Sequence, residues 1–317
     1  MAQKLILHLP IHKTGSTALQ VTLDANETLL NKQNMTYLPR HTKASQHFHL
    51  TEFRGDELQK YLAKMRSDTR GKDLILSSEK LHLLSTPDLQ DFFTTVASVF
   101  DGFAITVVVY LRRQDDAINS LYSQMVKYGT LTVSSKQFFD PRKLAFDYEH
   151  YLEVISGNLP EDTELMVRVY DRNQLRDGDI VEDFAHLVGI TGKLKRGQKD
   201  TNHSLEKSVF KIKRAMNSEL QGAPPDLLQS MAGILADASK NMNNGKPDTN
   251  VLSDLERSLI MEFYAESNAR ISEKYLGGET FSNSTPKTLD YESSFEVVFP
   301  LIMARMSRYF HWVSTRQ

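Results

Sequence analysis

Five consecutive residues near the start of the chain, Lys13, Thr14, Gly15, Ser16 and Thr17, bring together one ammonium group, three hydroxyls and a glycine. Such a set suits an anion. The lysine and hydroxyls supply charge-assisted hydrogen bonds, and the glycine lets the backbone come close to a ligand. The flanking residues point the same way. Leu5 to Leu9 form a short apolar run, Pro10 ends it, and an apolar-periodic stretch opens with Ala18, Leu19 and Leu23. The segment reads as strand, tight loop and helix N-terminus, the place where unpaired N–H groups and the helix dipole meet a phosphate or sulfate.

Laid over the nucleotide-binding pattern GxxxxGK[ST], Pro10 falls on the first glycine, Gly15 on the second and Ser16 on the lysine. Thr17 takes the magnesium-binding hydroxyl, and the lysine itself stands three positions early, at Lys13. This is a different arrangement of the same parts. The order His12-Lys13-Thr14-Gly15-Ser16-Thr17 resembles the phosphosulfate-binding loop of sulfotransferases that use the donor PAPS (3′-phosphoadenosine 5′-phosphosulfate), with His12 where many members have proline. The plainer alternative is a strand–helix turn with an incidental surface lysine.

A second constellation follows about a hundred residues later. Residues 103–111, FAITVVVYL, form an unbroken apolar, β-branched run, as expected of a strand buried on both faces of a parallel sheet. Arg112, Arg113, Gln114, Asp115 and Asp116 come next, then a helical pattern through Ile118, Leu121, Tyr122 and Met125. Arg112 offers a planar fork to a phosphate at the carboxyl end of a buried strand, where open α/β sheets keep their ligands. Ser120, two turns into the helix, can donate from the same side. Arg113 is expected to pair with Asp115 and Asp116 in a solvated turn. Sulfotransferases carry an arginine and a serine at this spacing on the donor's 3′-phosphate, and the opening resembles their R-[NR]-P-x-D pattern with Gln114 replacing proline. Both motifs together are similar to the bacterial branch of the superfamily and to the related carbohydrate sulfotransferases.

That resemblance implies PAPS as co-substrate, PAP as product, no required metal, and a hydroxylated acceptor, a glycan or small molecule. It also implies roles. Lys13 would support the leaving phosphate, His12 to Thr17 would hold the 5′-phosphosulfate, and Arg112 with Ser120 the 3′-phosphate. Sulfuryl transfer further needs a base for the acceptor hydroxyl. Glu79 is the first candidate, because it follows the strand Asp73–Ser77 at its carboxyl end. The alternative is a helix-capping carboxylate in Ser77-Ser78-Glu79. His47 is the second candidate, with His49 beside it; His41, His47 and His49 lack the carboxylate or cysteine that would complete a metal site. Arg168 or Arg172 would touch ligand or form a surface ion pair. Asn202 and Ser204 read as a helix cap with a ligand contact in reach, and Lys193, Lys195, Arg196 and Lys199 as a solvated loop.

The elements that must position these groups alternate between strand and helix through the first two-thirds. Helices are expected near Leu50–Arg66, Thr86–Phe100 and Asp177–Gly189, and strands at Asp73–Ser77 and Glu164–Tyr170. The last third is helical: Leu205–Glu219, Leu252–Tyr275 and Phe295–Tyr309. The expectation is a P-loop-like three-layer α/β/α fold around a central parallel sheet. One domain is expected over 1–317, its α/β nucleotide-binding core in 1–190 and a helical acceptor-side region in 191–317.

Composition sets outer limits. At 317 residues with 40% hydrophobic and 25% charged residues, the chain can build a sizeable core. A net charge of −2 argues against general nucleic-acid binding. Zero cysteines exclude disulfides and thiolate metal sites. No leader or bilayer-spanning run is visible, so no membrane partner and a cytoplasmic location are expected. Two other classes remain open: a P-loop kinase or nucleotidase, and a non-catalytic PAP-binding relative that keeps Lys13 and Arg112 without a working base.

Overall fold

The structure is a computed structural model and describes residues 2–38, 45–139, 146–197, 204–240 and 242–281. The helix at Phe295–Tyr309, together with His41, Lys199 and Asn202, lies outside the described residues. In chain order the elements begin β1 (Lys4–His8), α1 (Ser16–Ala25), α2 (Glu27–Lys32), β2 (Met35–Tyr37), α3 (His49–Glu52) and α4 (Gly55–Asp68). There follow β3 (Asp73–Ser77), α5 (Thr86–Val99), β4 (Ala104–Leu111), α6 (Gln114–Tyr128), α7 (Ser135–Phe138) and α8 (Tyr148–Asn158). The remainder are β5 (Glu164–Val169), α9 (Ile180–Val188), α10 (Lys207–Met216), α11 (Pro225–Lys240), α12 (Asp254–Phe263) and α13 (Ala265–Tyr275). The described residues divide into two units, one drawn from 2–113, 146–197 and 264–281, the other from 114–139, 204–240 and 242–263.

The first unit is built on a five-stranded, wholly parallel sheet in the order β2-β3-β1-β4-β5, flanked by helices. It is the expected α/β architecture. The continuous apolar runs explain it, because both faces of β1, β3 and β4 are covered. On one face Ile6, Ile75, Val108 and Tyr110 pack with Leu19 and Leu23 of α1 and Val181 and Phe184 of α9. Alternation along the strands turns Leu7, Leu76 and Val109 to the other face, the side left to α4, α5 and α8, which pack side by side. Phe92, Phe93 and Leu152 on those helices are almost wholly buried, each stabilising by roughly 1.5–3 kcal/mol. The strand order reverses beside β1, so the loops after β1, β3 and β4 open at a topological switch point.

Two expected elements come out differently, and one strand was not expected. The helix expected over 50–66 is two, because Phe53 and Arg54 are extended and Gly55 has φ +49°. The helix expected over 252–275 is interrupted at Tyr264, between α12 and α13. The polar stretch from Asn31 to Gln46 contains β2, a three-residue edge strand that the periodicity of so short a segment cannot reveal.

The second unit gathers α10, α11 and α12 around α6. The turn of Arg113, Asp115 and Asp116 is not solvated as expected. Asp115 is fully buried and pairs at 3.1 Å with Arg257 of α12, which also binds Asp116, while Arg113 itself is buried. At the other end of α6, buried Lys213 donates to the carbonyls of Val126 (3.1 Å) and Gly129 (3.0 Å) and to Asn217. A cation there satisfies carbonyls that a helix C-terminus leaves open. Burial lowers the Lys213 pKa to about 8.

Removing the Arg257 cation takes an ionic partner from the buried Asp115 carboxylate. Arg257→Met is expected to destabilise the protein by about 3–5 kcal/mol, read as a lower urea midpoint. An unchanged midpoint would show that the pair is not what holds α12 to α6.

Candidate functional site

The anion loop sits between the carboxyl ends of β1, β3 and β4. Gly15 caps α1 with φ +73°, a left-handed conformation, and its carbonyl accepts from the N–H groups of Ala18 (3.0 Å) and Leu19 (3.3 Å). The N–H groups of Ser16 and Thr17 therefore precede the first helical bond, at the positive end of the dipole. Lys13 is also left-handed, at φ +72°. A non-glycine residue in that region costs of order 1 kcal/mol and is kept where its surroundings hold it. Here one of those surroundings is Arg112, whose guanidinium donates to the Lys13 carbonyl at 2.8 Å. Tyr148 in turn donates its hydroxyl to the Arg112 carbonyl at 2.9 Å, and the Arg112 side chain lies 5.9 Å from the centre of the Tyr170 ring.

Glu79 joins the loop from β3. Its Oε2 accepts from the Ser16 hydroxyl at 3.0 Å, and its Oε1 accepts from His12 Nδ1 at 3.0 Å. Burial pushes the Glu79 carboxyl up, but the hydrogen bond and charge of His12, the Ser16 hydroxyl and the Lys13 charge outweigh it and hold the pKa below the ordinary range. An ionised carboxylate only accepts, so the His12 proton sits on Nδ1 and a neutral ring carries its lone pair on Nε2. His82 stands edge-on to His12, with ring centres 4.4 Å apart. Its Nδ1 donates to the Glu79 carbonyl at 2.7 Å.

The expected site residues are thus partly assembled. Lys13, His12, Ser16, Glu79 and Arg112 lie in one bonded cluster. The Thr14 hydroxyl is turned inward, donating to the Ile11 carbonyl at 2.8 Å, while Thr17 is exposed. Ser120 is half-buried on α6, in the second unit. His47 stands apart from the loop. It is buried, its Nδ1 accepts the Ser77 N–H at 3.0 Å, and its own N–H donates to the Ser77 carbonyl at 3.0 Å. His49 pairs with Glu52 at 3.2 Å and stacks on Phe53. Arg168 binds buried Asp183 at 3.0 Å, where Tyr110 donates at 2.8 Å. Arg196 bridges Asp179 and Glu182, each at 2.8 Å, on the surface.

Three histidines are held neutral by burial, with pKa lowered from 6.5 to about 3 for His8 and His82 and to about 4 for His47. His8 shares the Ser77 hydroxyl (2.8 Å) with the Gln20 amide (2.9 Å), which ties β1, β3 and α1 together beneath the loop. Sequence reading did not reach Tyr148 or His82. Neither carries a motif, and only the fold brings them to the loop. Among the described residues no group of three or more His, Asp or Glu is placed to hold a metal ion. No helix there is long and apolar enough to cross a membrane.

The fold is that of an α/β protein with a lysine- and hydroxyl-bearing loop at its switch point. No family model matches the chain. It is 30% identical over 172 residues to an uncharacterized protein of Archaeoglobus fulgidus, a match covering 54% of this chain and 46% of that protein. The chain thus spans less than half of that relative's length. Among solved structures it is similar to a sulfotransferase from Alicyclobacillus acidocaldarius, at 13% identity and a TM-score of 0.41, over 86% of this chain and 96% of that one.

Gly15 leaves no room for a side chain. A Cβ there would lie 2.9 Å from the Tyr170 hydroxyl and 3.2 Å from Ile180, at a φ that L-residues rarely adopt. Gly15→Ala is expected to lower stability by about 1–3 kcal/mol, and Tyr170→Phe in the same chain should restore part of it. No recovery would mean that backbone strain, not the tyrosine, sets the cost.

The neutral histidines predict an acid limb. In the unfolded chain each takes up a proton near pH 6.5, whereas the folded protein does so only near 3 to 4. Their stabilisation is therefore complete above pH 6.5 and falls as the pH drops toward 4, by up to about 1.4 kcal/mol per pH unit for each histidine. Urea unfolding of His47→Gln between pH 7 and 5 should show a slope smaller by about one proton. An unchanged slope would show that His47 is protonated in the folded state.

Proposed function

We propose that the protein is a sulfotransferase that moves a sulfuryl group from PAPS to a hydroxyl of an acceptor. The observation that carries this reading is the single bonded cluster of Lys13, Glu79, His12, Ser16 and Arg112 at the mouth of a parallel sheet. The motifs that resemble the sulfotransferase loops meet there, and the donor set is chemically suited to a phosphosulfate. It offers an ammonium, a guanidinium, an exposed hydroxyl at Thr17 and the leading amides of a helix.

When bound, the donor supplies a sulfur whose bond to the 5′-phosphate oxygen breaks as a bond to the acceptor oxygen forms. The chain supplies position and charge. Lys13 neutralises the charge that grows on the leaving phosphate. The amides of Ser16 and Thr17 and the Thr17 hydroxyl hold the anion, while the hydroxyls of Thr14 and Ser16 keep the loop in shape. Arg112 binds the 3′-phosphate and steadies the loop through the Lys13 carbonyl. Glu79 acts as base toward the acceptor hydroxyl, held in place by its hydrogen bonds to His12 and Ser16. Buried, neutral His47, bonded to the backbone of β3, is the weaker candidate. An acceptor that is a sugar or another small hydroxylated metabolite suits this chemistry, which asks for no metal.

Calorimetry with PAP, and with ATP and magnesium, tests the donor assignment. PAP should bind without metal; binding of ATP with magnesium but not PAP would overturn it in favour of a kinase or nucleotidase. Lys13→Ala should lower turnover far more than PAP affinity, and Arg112→Ala should mainly weaken PAP binding. In a labelled-sulfate transfer assay Glu79→Gln is expected to cost about 100-fold in kcat with PAP affinity retained. PAP binding with no transfer to any hydroxylated acceptor would mark a non-catalytic relative instead.

A further inference from the structure

Glu79 lies two residues beyond β3, where the ladder to β1 has ended. A glutamate there has a backbone and a long side chain to order before its carboxylate aims at anything. The structure holds it at several points. The Ser78 N–H just before it donates to the His8 carbonyl at 3.3 Å, and His12 and Ser16 bind its two carboxylate oxygens. Its own carbonyl accepts from His82 Nδ1 at 2.7 Å.

His82 sits in the single 3₁₀ turn Leu81–Leu83, buried together with Leu81. Bonding a carbonyl three residues back closes a local turn, and that alone would make His82 structural. Its ring does more. It stands edge-on to His12, the donor to Glu79 Oε1, with ring centres 4.4 Å apart. It also meets the ring of Tyr151 on α8, at 6.3 Å. Burial, with the His12 charge pushing the same way, lowers the His82 pKa to about 3. The ring is therefore neutral, with its one proton on Nδ1. His82 touches both the backbone that carries the carboxylate and the ring that orients it.

We propose that His82 is a positioning residue for the base: it fixes the Glu79 backbone through the carbonyl and the His12 ring by contact, and so aims the carboxylate. The proposal rests on the sulfotransferase reading for its effect on turnover, and on the geometry alone for its effect on the carboxylate. The titratable groups around Glu79 are His12 and Lys13 on the loop, His82 in its turn and His8 on β1, with the Ser16 hydroxyl from α1. Against the burial that pushes the Glu79 carboxyl up, the His12 hydrogen bond leads the contacts that hold it below the ordinary range. A His12 ring released from its neighbour grips the carboxylate less, so the Glu79 pKa rises toward its ordinary value. The base is then lost at a higher pH, and the acid limb of the rate moves up with it.

The test follows the Glu79 carboxyl by carbon NMR in the full chain, labelled at glutamate carboxyls and without nucleotide. Its signal is the one lost in Glu79→Gln. His82→Ala, which removes both the donor and the ring, should raise the Glu79 pKa by roughly one unit, the worth of one hydrogen bond. His82→Asn keeps a donor and His82→Phe keeps a ring, and each should recover part of the shift. These two also serve if His82→Ala fails to fold by circular dichroism. Leu83→Ala, exposed in the same turn, should leave the titration unchanged. In the labelled-sulfate transfer assay His82→Ala should lower kcat about tenfold and move its acid limb up in pH, with PAP affinity unchanged by calorimetry. A folded His82 variant that loses only stability and keeps the wild-type titration would overturn the proposal and leave His82 a turn cap. So would a shifted titration with unchanged kcat. A shifted titration in a chain that neither binds PAP nor transfers sulfate would remove the sulfotransferase reading and leave the hold of His82 on Glu79 standing.

Discussion

Glu79 reaches the anion loop because parallel pairing with β1 ends β3 one strand away from it. The register sets His8 beside Ser77, and two residues past Ser77 the chain offers a carboxylate to a loop that begins two residues past His8. From that placement come the two hydrogen bonds to His12 and Ser16. They orient the histidine, anchor the start of α1 and hold a negative charge against Lys13. Arg112 completes the hold from β4, the other neighbour of β1, by taking the Lys13 carbonyl. A left-handed lysine is sustained because strand ends on both sides of β1 grip its surroundings.

Beneath this charged layer the protein keeps three histidines neutral. His8 and His47 bracket Ser77, one through the hydroxyl and one through the backbone, and His82 leans on the Glu79 carbonyl. Neutral rings serve as compact hydrogen-bonding parts where a charge would be costly to bury. The positive charge of the loop then belongs to Lys13 and Arg112, one on the loop itself and one at the end of β4. Arg168, close in sequence to the same sheet edge, is engaged by Asp183 and Tyr110 in a separate buried network. That network holds β5 to α9.

Much of this was legible beforehand, for identifiable reasons. The runs at 4–9, 73–77 and 103–111 lack alternation, and only a strand covered on both faces has that pattern. The bounds of β3 fell where its polar ends stand. Lys13, Gly15, Arg112 and Glu79 were legible because each sits just past such a run. Short or broken elements were not. β2 has three residues, and the extended pair Phe53–Arg54 splits a stretch whose apolar spacing continues unbroken. An ionic partner of Asp115 lies more than a hundred residues away, at Arg257, which no charge pairing within the turn reveals.

By itself the sequence determined the class of fold and the loop of lysine, glycine and hydroxyls that opens α1, because these follow from local periodicity and from chemistry held within a few positions. Only the tertiary structure decided which of those groups act on one another. It turned two of the loop's three hydroxyls inward, set Glu79 against His12 rather than leaving it as a helix cap, and withdrew His47 into the wall of the sheet. The reason is that hydrogen bonds and burial depend on distance in space. Strand order and register bring residue 12 to residue 79, and no pattern confined to either segment contains that information.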